Sequence, residues 1–219
     1  MNLRLTDVSK LRNNGTDSGS RSFTEQKSTQ KFRCEMNKLA LVLALASTCV
    51  LETPIGSTPA FALETYEAKI EASDAASQAR IDMLDAFGPK SLRPGQFLWR
   101  DVPDSAGPER VVISLSDQRA YLYRGDDLVA VSTISSGRDE KPTPTGIFSV
   151  LDKRPMYRSK KYENAPMPWM QRIDQYGVAL HAGYNPGVPA SHGCIRLPAG
   201  FAKKLYTVTS IGTPVFIGA

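Results

Sequence analysis

Apolar and polar positions divide the 219-residue chain into stretches of distinct character. Residues 1–35 are polar, rich in Ser, Thr, Asn and basic side chains, with no apolar period of 2 or 3.6 able to build a core. Leu39 to Val50 then form an almost unbroken apolar run, followed by Pro54, Gly56 and Ala60-Phe61-Ala62. Between Leu63 and Phe87 the apolar residues Tyr66, Ile70, Ile81, Leu84 and Phe87 fall at near-helical spacing among Ala, Glu and Asp, and Gly88-Pro89 follows. This pattern predicts one helix with a narrow apolar stripe and a solvated acidic face, forming an appendage over residues 63–90.

Residues 91–108 carry Pro94-Gly95, Pro103 and Gly107-Pro108 around Phe97-Leu98-Trp99, and read as a linker with at most one docking strand. Beyond it the period shortens. Val111 to Leu115, Ala120 to Tyr123 and Leu128 to Ile134 are short β-branched and aromatic runs separated by Gly/Asp turns, which predicts hairpins. Gly146 to Leu151, Gly177 to His181 and Thr213 to Ile217 add strands, while Pro198 to Thr207 reads as a short helix. Residues 109–219 are therefore expected to form a mainly β domain, an antiparallel sandwich or half-open barrel with few short helices. Lys153 to Gln175 breaks the pattern: three prolines and no clean period predict a long loop, read as a lid over a groove.

Charge and cysteine usage change the picture at the N-terminus. A positive segment from Met36, a short apolar run and an A-x-A site make residues 36–62 a signal peptide, with cleavage expected near Ala62. Residues 1–35 are then a disordered leader or precede a true start at Met36. Lipidation at Cys49 is the alternative. Export to the periplasm or cell wall would leave Cys194 as the one thiol of the mature chain, because Cys34 and Cys49 are removed. Most of the formal +5 charge sits in residues 1–62, so the remainder carries no nucleic-acid footprint.

Candidate chemistry is concentrated in Ser191-His192-Gly193-Cys194-Ile195-Arg196. A thiol becomes a strong nucleophile once an imidazole takes its proton, and the chain's two histidines, His181 and His192, both fall near Cys194. Gly193 lets the chain bend, so that the His192, Gly193 and Cys194 amides can converge on an oxyanion. Arg196 lies two residues on, on the same side of an extended chain, and suits a peptide carboxylate. A zinc site built from His181, His192 and Cys194 is the rival, although one intervening residue makes a tight chelate. Trp169 and Tyr184 are candidate substrate contacts, with Trp169 equally suited to anchoring the core.

These residues resemble the catalytic domain of the L,D-transpeptidases, the YkuD-like family of peptidoglycan enzymes. The resemblance rests on Leu180-His181-Ala182-Gly183, the Ser191 to Arg196 run and Pro142-Thr143-Pro144-Thr145-Gly146-Ile147-Phe148, and it covers roughly Arg110 to Ile217. It implies a thioacyl enzyme acting on peptidoglycan stem peptides without cofactor or metal, and acylation of the same thiol by carbapenems. Cys194 would be the nucleophile and His181 the base. His192 would shape the site, Gly193 would lie in the oxyanion loop and Ser191 would support it. Where many members carry Gly-Thr after the upstream His this chain has Ala182-Gly183, and Arg196 stands where some have Asn. A hydrolase using the same cysteine, or a silent wall-binding module, are the other readings.

Overall fold

The structure, a computed structural model, describes residues 63–219. The expected leader and signal segment, with Cys34 and Cys49, lie outside the described residues. Helix α1 (Tyr66–Phe87) begins where Thr65 Oγ1 accepts the Ala68 amide at 3.2 Å, and ends at Gly88, whose φ is 73°. The strands follow in the order β1 (Phe97–Trp99), β2 (Glu109–Ser114), β3 (Arg119–Arg124), β4 (Asp127–Thr133) and β5 (Gly146–Ser149). Next come β6 (Asp152–Arg158), β7 (Pro166–Arg172), β8 (Ala179–Ala182) and β9 (Ile195–Leu197), then helix α2 (Ala199–Val208) and β10 (Pro214–Gly218).

Two sheets result, one ordered β1-β4-β3-β2-β10-β5 and the other β6-β7-β8-β9. The fold is mainly β, a sandwich as expected from the sequence, and most pairings are antiparallel. Two are parallel, β10 on β2 and β8 on β9, so both sheets are mixed. Period-2 alternation explains the packing. Val111, Ile113, Ala120 and Leu122 face the main core with Leu180, Ile195, Leu197 and the α2 residues Phe201 and Leu205. Val112, Tyr121 and Tyr123 face the other way, against α1. Each fully buried Ile or Leu contributes about 1.5–3 kcal/mol.

Helix α1 docks by a different face from the one its large residues mark. Ala68, Ala72, Ala76, Ala79 and Met83 are buried, whereas Tyr66, Ile70, Ile81 and Leu84 are exposed. Small side chains allow the close approach: a Cβ on Gly218 would come within 2.6 Å of the Ala72 carbonyl oxygen. Tyr123 adds an O–H donated to Asp82 Oδ2 at 2.6 Å.

The expected lid is a hairpin. Residues 152–172 form β6 and β7 around a tip at 159–165. The prolines do not prevent this, because β6 is an edge strand, Pro166 opens β7, and only Gln171 and Arg172 of β7 pair with β8.

Candidate active site

Parallel pairing of β8 with β9 sets the site. His181 is opposite Arg196, and Cys194 immediately precedes β9, so the three side chains emerge on one face within a diagonal step. They border a cleft of about 1450 Å³, which Tyr184, Met170 and Tyr162 also line. A small apolar cluster of Met167, Met170, Ala179 and Tyr157 packs against the thiol.

His181 is buried, and its Nδ1–H donates to the Ala182 carbonyl at 2.8 Å. That bond fixes the tautomer and leaves Nε2 as an acceptor. Burial pushes the imidazole below its ordinary pKa; the Ala182 bond opposes this and the Arg196 charge adds to it. Burial pushes the Cys194 thiol up. The Asp174 charge adds to that rise, while the Ala179 amide, Arg196 and Lys161 oppose it. The thiol donates to the Gly177 carbonyl, with the sulfur 3.7 Å from that oxygen.

The loop from Ser191 to Cys194 is held from below. Ser191 is buried, and its hydroxyl donates to the Cys194 carbonyl while accepting the Gly193 amide at 3.1 Å. This corrects the expectation that three amides converge on an oxyanion, since the Gly193 N–H is already taken up and His192 and Cys194 remain. Gly193 has φ 106° with ordinary space where a Cβ would stand, so its backbone conformation rather than crowding favours glycine. The buried Thr143 hydroxyl accepts the Gly137 amide at 2.8 Å and donates to the Gly193 carbonyl at 2.9 Å. Paired backbone bonds between Ser135 and Arg196, both 3.0 Å, fasten the start of β9.

His192 is exposed and turned to the rim. Its Nε2 accepts from Arg138 at 3.0 Å, and its ring stacks on Tyr162 of the hairpin tip with centroids 4.6 Å apart. His181, His192 and Cys194 therefore do not converge as ligands, and among the described residues no group of three or more His, Cys, Asp or Glu is gathered as a metal site. Arg196 reaches the cleft across Gly183, where a Cβ would come within 3.3 Å of its side chain. Tyr184 is 80% exposed at the cleft edge.

Trp169 belongs elsewhere. Trp169 interrupts the alternation of β7 with a φ of 57°; Met167, Met170 and Arg172 line the cleft, while the Trp169 ring lies 5.5 Å from Tyr206 of α2 and packs against the main core. It packs as a core anchor and is not part of the cleft lining. Sequence reasoning passed over Asp174 and Thr143 as supports. Asp174-Gln175-Tyr176-Gly177 carries the Asp and Gly of a turn between strands, and Thr143 stands in the Pro-Thr-Pro-Thr-Gly run that entered only as part of the family resemblance.

The L,D-transpeptidase catalytic domain model, YkuD, matches residues 108–217. The chain belongs to this family. It is 30% identical over 122 residues to YkuD of Bacillus licheniformis, assigned to the L,D-transpeptidases, covering 52% of this chain and 68% of that protein. YciB of Bacillus subtilis is 28% identical over 111 residues, with 43% and 57% covered. Among solved structures, an L,D-transpeptidase from Mycobacterium smegmatis has a TM-score of 0.48 at 21% identity, covering 51% of this chain and 58% of that one. L,D-transpeptidase 3 from Mycobacterium tuberculosis, in complex with a faropenem-derived adduct, has a TM-score of 0.47 at 22% identity, with 51% and 60% covered. This L,D-transpeptidase-family chain thus spans little more than half the length of YciB and of the two solved structures.

Proposed function

We propose that this protein is a cysteine L,D-transpeptidase that acts on peptidoglycan stem peptides through a thioester on Cys194. The observation that carries the reading is the β8–β9 register, which sets His181 beside Arg196 and one diagonal step from the thiol, at a cleft of about 1450 Å³. Substrate entering the cleft displaces the Gly177 bond. His181 Nε2 takes the thiol proton as sulfur attacks the carbonyl of the diamino residue, and the oxyanion is received by the His192 and Cys194 amides. Collapse expels the D-residue, whose amine receives the proton from His181. An acceptor amine then attacks the thioester, loses its proton to His181, and regenerates the thiol as the new amide forms. Arg196 holds a stem carboxylate. Export with cleavage after Ala62 belongs to the same reading, and N-terminal sequencing of the mature protein is expected to begin at Leu63.

Intact-mass spectrometry with a disaccharide tetrapeptide tests it. A transient adduct that resolves into cross-linked dimer, absent from Cys194→Ala, is the expected result, and a carbapenem is expected to acylate the same sulfur. Release of free tripeptide alone would replace transfer by hydrolysis. No adduct on folded protein with a free thiol would overturn the reading. Arg196→Ala is expected to raise the donor concentration for half-maximal acylation by about tenfold or more, the equivalent of one charge-assisted hydrogen bond.

A further inference from the structure

Asp174 is a carboxylate buried to 4% exposure in the turn between β7 and β8, away from any substrate-facing role. One of its oxygens, Oδ1, accepts three successive backbone amides: Tyr176 at 2.9 Å, Gly177 at 2.7 Å and Val178 at 2.7 Å. The Ile173 amide closes the turn on the Val178 carbonyl at 2.9 Å. Within this knot Gly177 has φ 100°, a left-handed-side conformation that aims its carbonyl oxygen at the Cys194 sulfur, 3.7 Å away. Three charge-assisted bonds on one oxygen hold that carbonyl where the thiol proton points.

We propose that Asp174 is a positioning residue that parks the Cys194 thiol: through the Gly177 carbonyl it directs the proton away from His181 until substrate enters the cleft. The inference rests on the reading of Cys194 as nucleophile and adds a device for controlling it. In the parked state the sulfur is an indifferent thiol, and the proton transfer to His181 Nε2 waits for the Gly177 bond to be replaced. Small electrophiles that make no use of the cleft therefore meet a poor nucleophile. The charged and titratable groups around the sulfur are His181 on β8, Arg196 on β9, Lys161 on the hairpin tip, Asp174 in the turn and Tyr157 on β6. His192 neighbours it along the chain with its ring engaged by Arg138.

The test is the pH dependence of Cys194 alkylation by iodoacetamide, followed by intact mass on the whole protein. Asp174→Ala removes the acceptor of all three amides. Its alkylation midpoint is expected to fall by about half a pH unit, which makes labelling at neutral pH about threefold faster. Asp174→Asn keeps an Oδ1 acceptor without the charge and is expected to fall between that variant and the parent. Gly177→Ala is the second route, because a Cβ there meets nothing within 4 Å and only the φ, hence the carbonyl direction, is disturbed. It is expected to speed labelling even if Asp174→Ala does not fold. The Asp174 charge by itself raises the thiol pKa, so both Asp174 variants would lower the midpoint even without positioning. Gly177→Ala keeps that charge and decides, and a Gly177→Ala midpoint that stays at the parent value overturns the proposal. Alkylation needs no acyl donor, so a wrong substrate assignment shows instead as a missing thioester with the alkylation profiles shifted as expected.

Discussion

Replacing Thr143 by Val keeps the β-branched shape and deletes the hydroxyl that ties two loops together. In the parent, that oxygen accepts the Gly137 amide and donates to the Gly193 carbonyl. The Gly193 carbonyl is buried and loses its partner outright, at a cost of about 1–3 kcal/mol. Gly137 is half-buried, so its amide recovers part of its hydration and the second loss is about 0.5–1 kcal/mol. The sum, about 1.5–4 kcal/mol, lowers the melting temperature by about 3–16 °C in a domain of this size. Thermal unfolding followed by circular dichroism measures it, with Thr143→Ser as the control that keeps the hydroxyl and gives up one methyl, about 1 kcal/mol. Thr143→Ser is expected to melt above Thr143→Val. If the two melt together, the hydroxyl is not what holds the loop at Gly193 and the reasoning fails.

Trp169→Ala is expected to destabilise the fold by about 2–4 kcal/mol, because the ring packs on Tyr206 and the main core. The donor concentration needed for half-maximal acylation should stay at the parent value; a marked rise would return Trp169 to the substrate groove. Alkaline pH is expected to weaken the protein through β3. Burial, then the Asp117 charge, raises Tyr121 to about 12, and burial with the bond to Asp82 raises Tyr123 as well. The folded state keeps protons that the unfolded phenols release near pH 10, so this stabilisation is complete below about pH 10 and is lost as pH climbs towards 12. Denaturant midpoints that stay flat across that interval, or an equally steep fall in a Tyr121→Phe, Tyr123→Phe double variant, would contradict this.

The sheet that carries no chemistry was the more legible in the sequence. In β2 and β3 both faces are buried, so Val111-Val112-Ile113 and Ala120-Tyr121-Leu122-Tyr123 announce strands without ambiguity. The hairpin of β6 and β7 was hidden because its prolines are tolerated only at edges and strand starts, and edge status is a property of the assembled sheet. For α1 the sequence gives the helix and conceals the face: a stripe of Ile and Leu outweighs a row of Ala in any apolar count, yet the row of Ala fits the strand backbone at Gly218. In the cleft, spacing was enough to gather Cys194, His181 and Arg196. Which way the Tyr162–His192 stack would turn depends on packing between segments far apart in the chain, whereas the Ser191–Gly193 bond spans two residues and depends on the backbone of the loop itself.

Strand β10 lies inside the main sheet, parallel to β2 on one side and antiparallel to β5 on the other. Of the six strands in that sheet, β5 reaches the rest only by way of residues 214–218. A nascent chain that has already delivered β1 to β5 to the cytosol or to a translocation pore consequently holds an incomplete sheet with β2 open along one edge. Helix α1, which rests on Gly218, has no finished seat at that stage. Closure of the main sheet thus waits on residues 214–218. A chain released before Pro214 would offer passing partners a bare strand edge, the kind of surface that quality-control proteases and aggregates both recognise.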